Sequence, residues 1–248
     1  LQEEEKPPMI FPSYYQMDLF SKTPGAISRC EMIAIINIAA QAPKGTCAEM
    51  GSHRGKSGIA AAIGLSHTDN HILHMVDPLY DMENLEAWSH ADQKHPDNAW
   101  QGAKDEDFKP GLIHLILDAT YNSVAINLHG DYSTNAIPRL HSEHGDFGYV
   151  FIDSDQHQYE LVKEECSLLR SRMAIGGIIC FHDFQSQFTG VERAYREMLE
   201  GGQYQEVPID WDRIKAYVKD IGGEAGNASW HHCDKEAPCF VGAIKRVK

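Results

Sequence analysis

From Thr46 onward, short apolar runs alternate with longer stretches whose apolar positions recur at helical spacing. The runs that read as strands are Thr46–Met50, His71–Val76, Val124–His129, Tyr149–Ile152, Gly177–Phe181, Gln203–Pro208 and Cys239–Val247. Helices are predicted to begin near Lys56, Gly111, Thr134, Tyr159 and Gly190, and Ile27 to Gln41 also carries helical spacing. Strands alternating with helices give a mostly parallel sheet covered on both faces. The expected architecture is therefore a doubly wound α/β fold with a seven-stranded sheet. Gln203–Pro208 and Cys239–Val247 have no clear helix between them and read as an antiparallel pair at one edge.

Two segments break the rhythm. Residues 1–26 read as a polar tail and a candidate lid that carries an aromatic stretch, Phe11 to Tyr15. Tyr80 to Lys109 is polar, holds Trp88, His90, His95 and Trp100, and shows no period, so it reads as an insertion or lid. Residues 27–248 remain as one domain, which suits a chain of 248 residues.

Charge narrows the partners. With 22 Lys+Arg against 36 Asp+Glu, the net charge is −14, a field that repels nucleic acid and anionic membranes. None of the six cysteines forms a CxxC pair, and Cys47 and Cys180 lie in apolar strands as reduced thiols do. With no signal peptide and no membrane-length apolar run, the expectation is a reduced, cytoplasmic protein.

The stretch Thr46-Cys-Ala-Glu-Met-Gly-Ser-His-Arg-Gly-Lys-Ser57 runs from a strand through a glycine turn into a helix. Gly51 and Gly55 permit a tight turn and close backbone approach to a ligand. Ser52, Ser57 and the helix N–H groups are donors, and Glu49 at the strand end is a partner for an ammonium group. A dinucleotide fingerprint fails, because His53 stands where GxGxxG needs glycine. A P-loop fits at Gly55-Lys56-Ser57 but needs a glycine at Met50. The acidic-x-Gly-x-x-x-Gly turn of S-adenosylmethionine (SAM) binding fits Glu49, Gly51 and Gly55, and a ligand-free turn remains open. The second strand ends in Asp77, placed to accept ribose hydroxyls or simply to start a loop before Pro78.

Two later strands also end in chemistry. Phe147-Gly-Tyr-Val-Phe-Ile-Asp153 is followed by His157, and Gly176-Gly-Ile-Ile-Cys-Phe181 by His182 and Asp183. Ligands of open α/β sheets sit beyond the carboxyl ends of the strands, so these groups should converge with Glu49 and Asp77.

On AEMGSHRGKS, HMVDP, GYVFIDSDQHQYE and GGIICFHDF, the chain from about Ile27 onward resembles SAM-dependent methyltransferases. The subgroup it resembles is that of macrolide-sugar and cephalosporin-type O-methyltransferases, with catechol-type enzymes more distant. The resemblance implies SAM as cofactor, a divalent metal such as Mg2+, and a small hydroxylated acceptor (sugar, polyol or phenol). It also implies a homodimer. It places Asp153 and Asp183 as metal ligands, with His182 standing where the family has a carboxylate, and Asp153, His157 and His182 in catalysis. Gly130, Asp131 and Ser133 would line the adenine side. Two departures stand out: an extra residue after Asp153, which displaces His157, and His182 itself.

Two alternatives stay open: a P-loop-like phosphotransferase using Lys56, and a non-catalytic SAM-binding protein. Trp230-His-His-Cys233 with Cys239 lacks zinc-site spacing and reads as a surface loop.

Overall fold

The computed structural model describes residues 8–23, 27–80, 105–154, 158–221 and 240–248. Most of the predicted insertion, His157, Cys233 and Cys239 lie outside the described residues.

Seven strands form one sheet: β1 (Thr46–Met50), β2 (Ile72–Val76), β3 (Ala125–His129), β4 (Phe147–Ile152), β5 (Met173–Phe181), β6 (Tyr204–Glu206) and β7 (Gly242–Arg246). Their order is β3-β2-β1-β4-β5-β7-β6. The first five are parallel, whereas β7 runs antiparallel to both β5 and β6. The doubly wound sheet and its antiparallel edge are as the sequence pattern predicts. The chain leaves β1 for β2 on one side and returns for β4 on the other, so the topological switch point lies between β1 and β4.

The helices are α1 (Tyr14–Lys22), α2 (Arg29–Ala39), α3 (Lys56–Leu65), α4 (Asp105–Ala119), α5 (Ser133–His144), α6 (Tyr159–Leu169), α7 (Thr189–Leu199) and α8 (Trp211–Asp220). Strand side chains alternate between the two faces of the sheet. Cys47, Tyr149 and Phe151 meet the layer of α1 to α4, and Ala48, Met50, Val150 and Ile152 meet α5 to α7. Burial on both faces explains why these strands read as continuous apolar runs rather than alternating ones.

Three elements differ from expectation. Tyr14–Lys22 is a helix, begun by a capping box in which Ser13 and Gln16 satisfy each other's backbone N–H groups. Its Met17, Leu19 and Phe20 sit in the core, and Gln16 Nε2 donates to Ala119 O at 2.8 Å. Its sparse apolar face in so short a segment left no clear period. The helix predicted near Gly111 starts at Asp105. Trp211–Asp220 is a helix between β6 and β7, capped by the Asp210 side chain; only Ile214 and Val218 on it are buried, too few to show a period. It packs on α2, and Phe11 stacks on its Tyr217 with ring centroids 4.0 Å apart. Phe11 is therefore engaged by the protein's own surface.

Cys30, Cys47, Cys166 and Cys180 are buried. Among the described residues, no helix is long and apolar enough to cross a membrane.

Candidate active site

Register fixes which residues share the rim. Met50 pairs with Val76 and with Ile152, Ile152 with Phe181, and Val76 with His129. Gly51, Asp77, Asp153, His182 and Gly130 are thus the first residues beyond five adjacent parallel strands.

The glycine turn is held by the backbone. Gly51 N–H donates to Val76 O at 2.9 Å, Asp153 N–H to Met50 O at 2.9 Å, and Gly55 N–H to Ser52 O at 2.7 Å. Gly51 has φ +82°, and a Cβ there would lie 2.2 Å from Asp153 O. Only glycine meets both demands. Gly55 is the N-cap of α3 at φ 80°, and no side chain caps that helix. The start of α3 is thereby kept clear of the protein's own acceptors from side chains, as a ligand's carboxylate requires. His53 adopts φ 43° and its N–H donates to Asp77 Oδ2 at 2.7 Å, which orients the buried Asp77 carboxylate across the turn.

Glu49 lies on the α3 face of β1 and is wholly buried. A Cβ on Gly58 would come within 2.8 Å of its Oε2, so the helix passes directly over the carboxyl group. Burial pushes its pKa up to about 8; Ser57 and Ser52 oppose this, while Asp153 and Asp77 add to it. Neither carboxyl oxygen completes a hydrogen bond of regular geometry. Glu49 is therefore mostly protonated at neutral pH, held under the turn rather than presented at its surface.

Asp153, His182 and Asp183 come together, with one ligand atom of each within 4.8 Å of the others. His182 Nδ1 lies 3.3 Å from Asp153 Oδ1 and 3.1 Å from Asp183 Oδ2. Asp183 and Gln185 both have left-handed backbone, φ 56° and 61°, which turns the Asp183 carboxylate back toward His182. Neighbouring ligands of an octahedral ion, each about 2.1 Å from it, stand about 3 Å apart, so these spacings fit a divalent cation. The donor set of one nitrogen and two carboxylates suits Mg2+, Mn2+ or a borderline transition ion.

Sequence reasoning missed a fourth member. Glu31 on α2 places Oε1 3.7 Å from His182 Nε2. The same carboxylate accepts Ser28 N–H at 2.8 Å and Phe240 N–H at 3.0 Å. Burial raises its pKa, but His182 and Ser28 pull harder and leave it at about 2. Burial likewise disfavours the His182 cation, but Asp153, Asp183 and Glu31 outweigh it and hold the pKa well above the usual histidine value. In this state His182 is a cation between carboxylates, and it becomes a base only after Nδ1 gives up its proton. Ser28-x-x-Glu31 has the spacing of a capping box, but nothing local ties it to a strand end 151 residues away.

On the adenine side the predicted residues separate. Gly130 is exposed, whereas Asp131 is bound locally, accepting Tyr132 N–H at 2.8 Å and facing Arg139 at 3.4 Å. Ser133 is buried beside Glu165 of α6. Burial raises Glu165 to about 7 despite hydrogen bonds from Ser133 and Ser154. Lys56, the cation a phosphate-binding loop would extend to its ligand, has Nζ 4.8 Å from the Phe20 ring centroid instead.

Three solved structures illustrate the likeness in fold. An O-methyltransferase from Bacillus cereus in complex with S-adenosylhomocysteine (SAH) covers 97% of this chain and 93% of its own at 10% identity, TM-score 0.53. TomG from Streptomyces achromogenes, an O-methyltransferase of tomaymycin synthesis in complex with SAM, covers 97% and 92% at 10% identity, TM-score 0.53. The calicheamicin methyltransferase CalS11 covers 85% and 95% at 14% identity, TM-score 0.50. No curated protein matches the chain. The family model for a methyltransferase domain matches residues 48–184, which take in every rim residue from Glu49 to Asp183. By that match over more than half its length, the chain belongs to the methyltransferase-domain family.

Proposed function

We propose that this protein moves a methyl group from SAM to a hydroxyl of a small molecule, such as a sugar, polyol or phenol. The observation that carries the reading is the convergence of the Gly51–Gly55 turn, Asp77 and the Asp153/His182/Asp183 group on one rim, at the switch point of the sheet. The fold neighbours with SAM or SAH bound, and their O-methyltransferase names, support it.

SAM supplies a methyl group already activated on a sulfonium. The chain must therefore hold donor and acceptor in line, which accounts for much of such a rate. The bare turn at Gly51 lets the backbone close on the cofactor, and Asp77, steadied by His53 N–H, takes its ribose hydroxyls. The uncapped start of α3 receives the amino-acid carboxylate. A divalent ion held by Asp153, His182 and Asp183 would lower the pKa of an acceptor hydroxyl. The acceptor's proton falls to His157 or, where no ion occupies it, to the deprotonated Nδ1 of His182. The same reading makes residues 27–248 the catalytic unit of a cytoplasmic homodimer and gives the 80–109 insertion, most of which lies outside the described residues, the part of a lid.

Calorimetric titration with SAM and, separately, ATP tests the cradle: SAM should bind and ATP should not. ATP binding without SAM would restore the phosphotransferase alternative, against which the Lys56 placement weighs. Asp153→Ala and Asp183→Ala should abolish turnover of a methyl acceptor. Full turnover in both variants would leave a mechanism that does not use this group, and SAM binding with no turnover of any acceptor would leave a SAM-binding protein.

A further inference from the structure

We infer that Glu31 is a positioning residue for His182: it holds the Nε2 edge of the imidazole, so that Nδ1 is aimed into the gap between Asp153 and Asp183. The inference deepens the proposed function and rests on that reading for its catalytic meaning.

Imidazole has two edges, and the one facing a metal or a proton acceptor is decided by what the other edge meets. His182 Nδ1 faces two carboxylates, at 3.1 and 3.3 Å. Its Nε2 is buried with no hydrogen-bond partner among the described residues, and Glu31 Oε1 faces it at ion-pair distance, 3.7 Å. A neutral neighbour would leave the ring free to turn over, since either nitrogen suits the carboxylate side. An anion fixed on the Nε2 side breaks that symmetry, keeps a proton on Nε2 and leaves Nδ1 as the nitrogen able to exchange a proton for a cation.

Glu31 is itself fixed. Its Oε2 accepts Ser28 N–H at 2.8 Å and its Oε1 accepts Phe240 N–H at 3.0 Å. The Phe240 carbonyl in turn accepts Phe184 N–H at 2.9 Å, one residue beyond Asp183. Through one carboxylate the start of α2, the approach to β7 and the His182-Asp183 turn are tied together. The covering helix thus sets the orientation of a ligand that belongs to the sheet.

Glu31→Gln separates this role from helix capping. Glutamine at the third helical position still completes a capping box through its carbonyl oxygen. With that oxygen on Ser28 N–H, its amide N–H2 is turned toward Phe240 N–H and His182 Nε2–H, a donor against donors. Ser28→Ala is the converse control, as it weakens the cap and leaves the carboxylate opposite His182. Where Glu31→Gln does not fold, Glu31→Asp keeps the charge and withdraws it by one carbon.

The experiment is titration of the full chain with Mn2+ by calorimetry, alongside SAH binding and imidazole 15N NMR, with His182 assigned by its loss in His182→Asn. Glu31→Gln is expected to weaken Mn2+ binding by about 10- to 100-fold, the usual loss when a partner behind a metal-binding histidine is removed. SAH affinity should not change, and Ser28→Ala should lower thermal stability with Mn2+ affinity intact. Equal Mn2+ affinity in Glu31→Gln and the unaltered chain overturns the inference. If the unaltered chain binds SAH but no Mn2+, metal assistance fails, and the NMR then decides on Glu31. A protonated Nε2 that becomes labile in Glu31→Gln supports positioning, and an Nε2 without its proton in the unaltered chain overturns it.

Discussion

Glu49→Gln offers a direct test of the buried carboxyl group beneath the glycine turn. Glu49 is completely buried, and its pKa is raised from 4.5 to about 8, with burial as the leading cause. A group whose pKa is raised on folding contributes stability that is fully present below the unfolded value. That contribution is lost as pH climbs through the folded value. The window is therefore pH 4.5 to about 8. At about 1.4 kcal/mol per pH unit, this one group lowers stability by on the order of 5 kcal/mol across the window.

Glutamine has nearly the same shape and cannot ionise. Near pH 4.5 the two proteins should have similar stability, since both carry a neutral group beneath Gly58. At pH 7 Glu49→Gln should be the more stable by roughly 3 kcal/mol, and by more at pH 8. Urea unfolding followed by tryptophan fluorescence from pH 4.5 to 8.5 measures the difference. Glu165, raised to about 7, and His74, lowered to about 4, also tilt the pH dependence, but they do so in both proteins and cancel in the difference. Parallel stability curves would refute the reasoning, for they would mean that Glu49 is charged in the folded state or that water reaches it.

Gly51→Ala combines a left-handed φ, which costs about 1–2 kcal/mol for a residue with a Cβ, with a 2.2 Å approach to Asp153 O; thermal stability should fall and SAM binding should be lost, and calorimetry showing ordinary SAM affinity would contradict this. His74 is lowered to about 4 by burial and by His144, His129 and Arg139, so its contribution is present above pH 6.5 and lost as pH falls toward 4. His74→Leu should flatten that acid limb, worth on the order of 3 kcal/mol, and an unchanged acid midpoint in urea would count against it. Deleting residues 81–104 should raise the acceptor KM while sparing SAM affinity, and an unchanged KM would remove the lid role.

The legible parts of the fold were those whose signal is local. β1 was readable to the residue because Thr46–Met50 is buried on both faces, and Gly51 marked its end because the backbone there has room for no side chain. The helix starts at Lys56 and Tyr159 followed from the same strand-then-helix rhythm. Asp153, His182 and Asp183 were legible as a group because register carries adjacent strand ends to one rim. What stayed hidden depends on contacts distant in sequence. In the sequence Glu31 has only the spacing of a capping box and Glu165 is only one more charge in Lys163-Glu-Glu-Cys166, whereas in the fold Ser133 and Ser154 close over Glu165. Glu49 reads from the sequence as a strand-end partner for an ammonium group, and nothing local shows that α3 runs over it at Gly58, a glycine no motif singles out.

Charge at the rim links the site to its proposed cofactor. Asp77, Asp153 and Asp183 meet there with His182 as the counter-cation, and Glu49 below them is kept neutral partly by two of those same carboxylates. SAM carries a sulfonium and an ammonium against one carboxylate, whereas SAH has lost the sulfonium charge. An acidic rim therefore favours substrate over product, and it repels the phosphates of a nucleotide. On this account Asp77→Asn should weaken SAM more than SAH, narrowing the ratio of the two affinities rather than lowering both alike. The charge on Asp77 is the quantity changed, since the asparagine oxygen can still accept His53 N–H as Oδ2 does at 2.7 Å. Equal losses for SAM and SAH would show that Asp77 serves the shared ribose alone, and the field of the rim would then have no part in telling substrate from product.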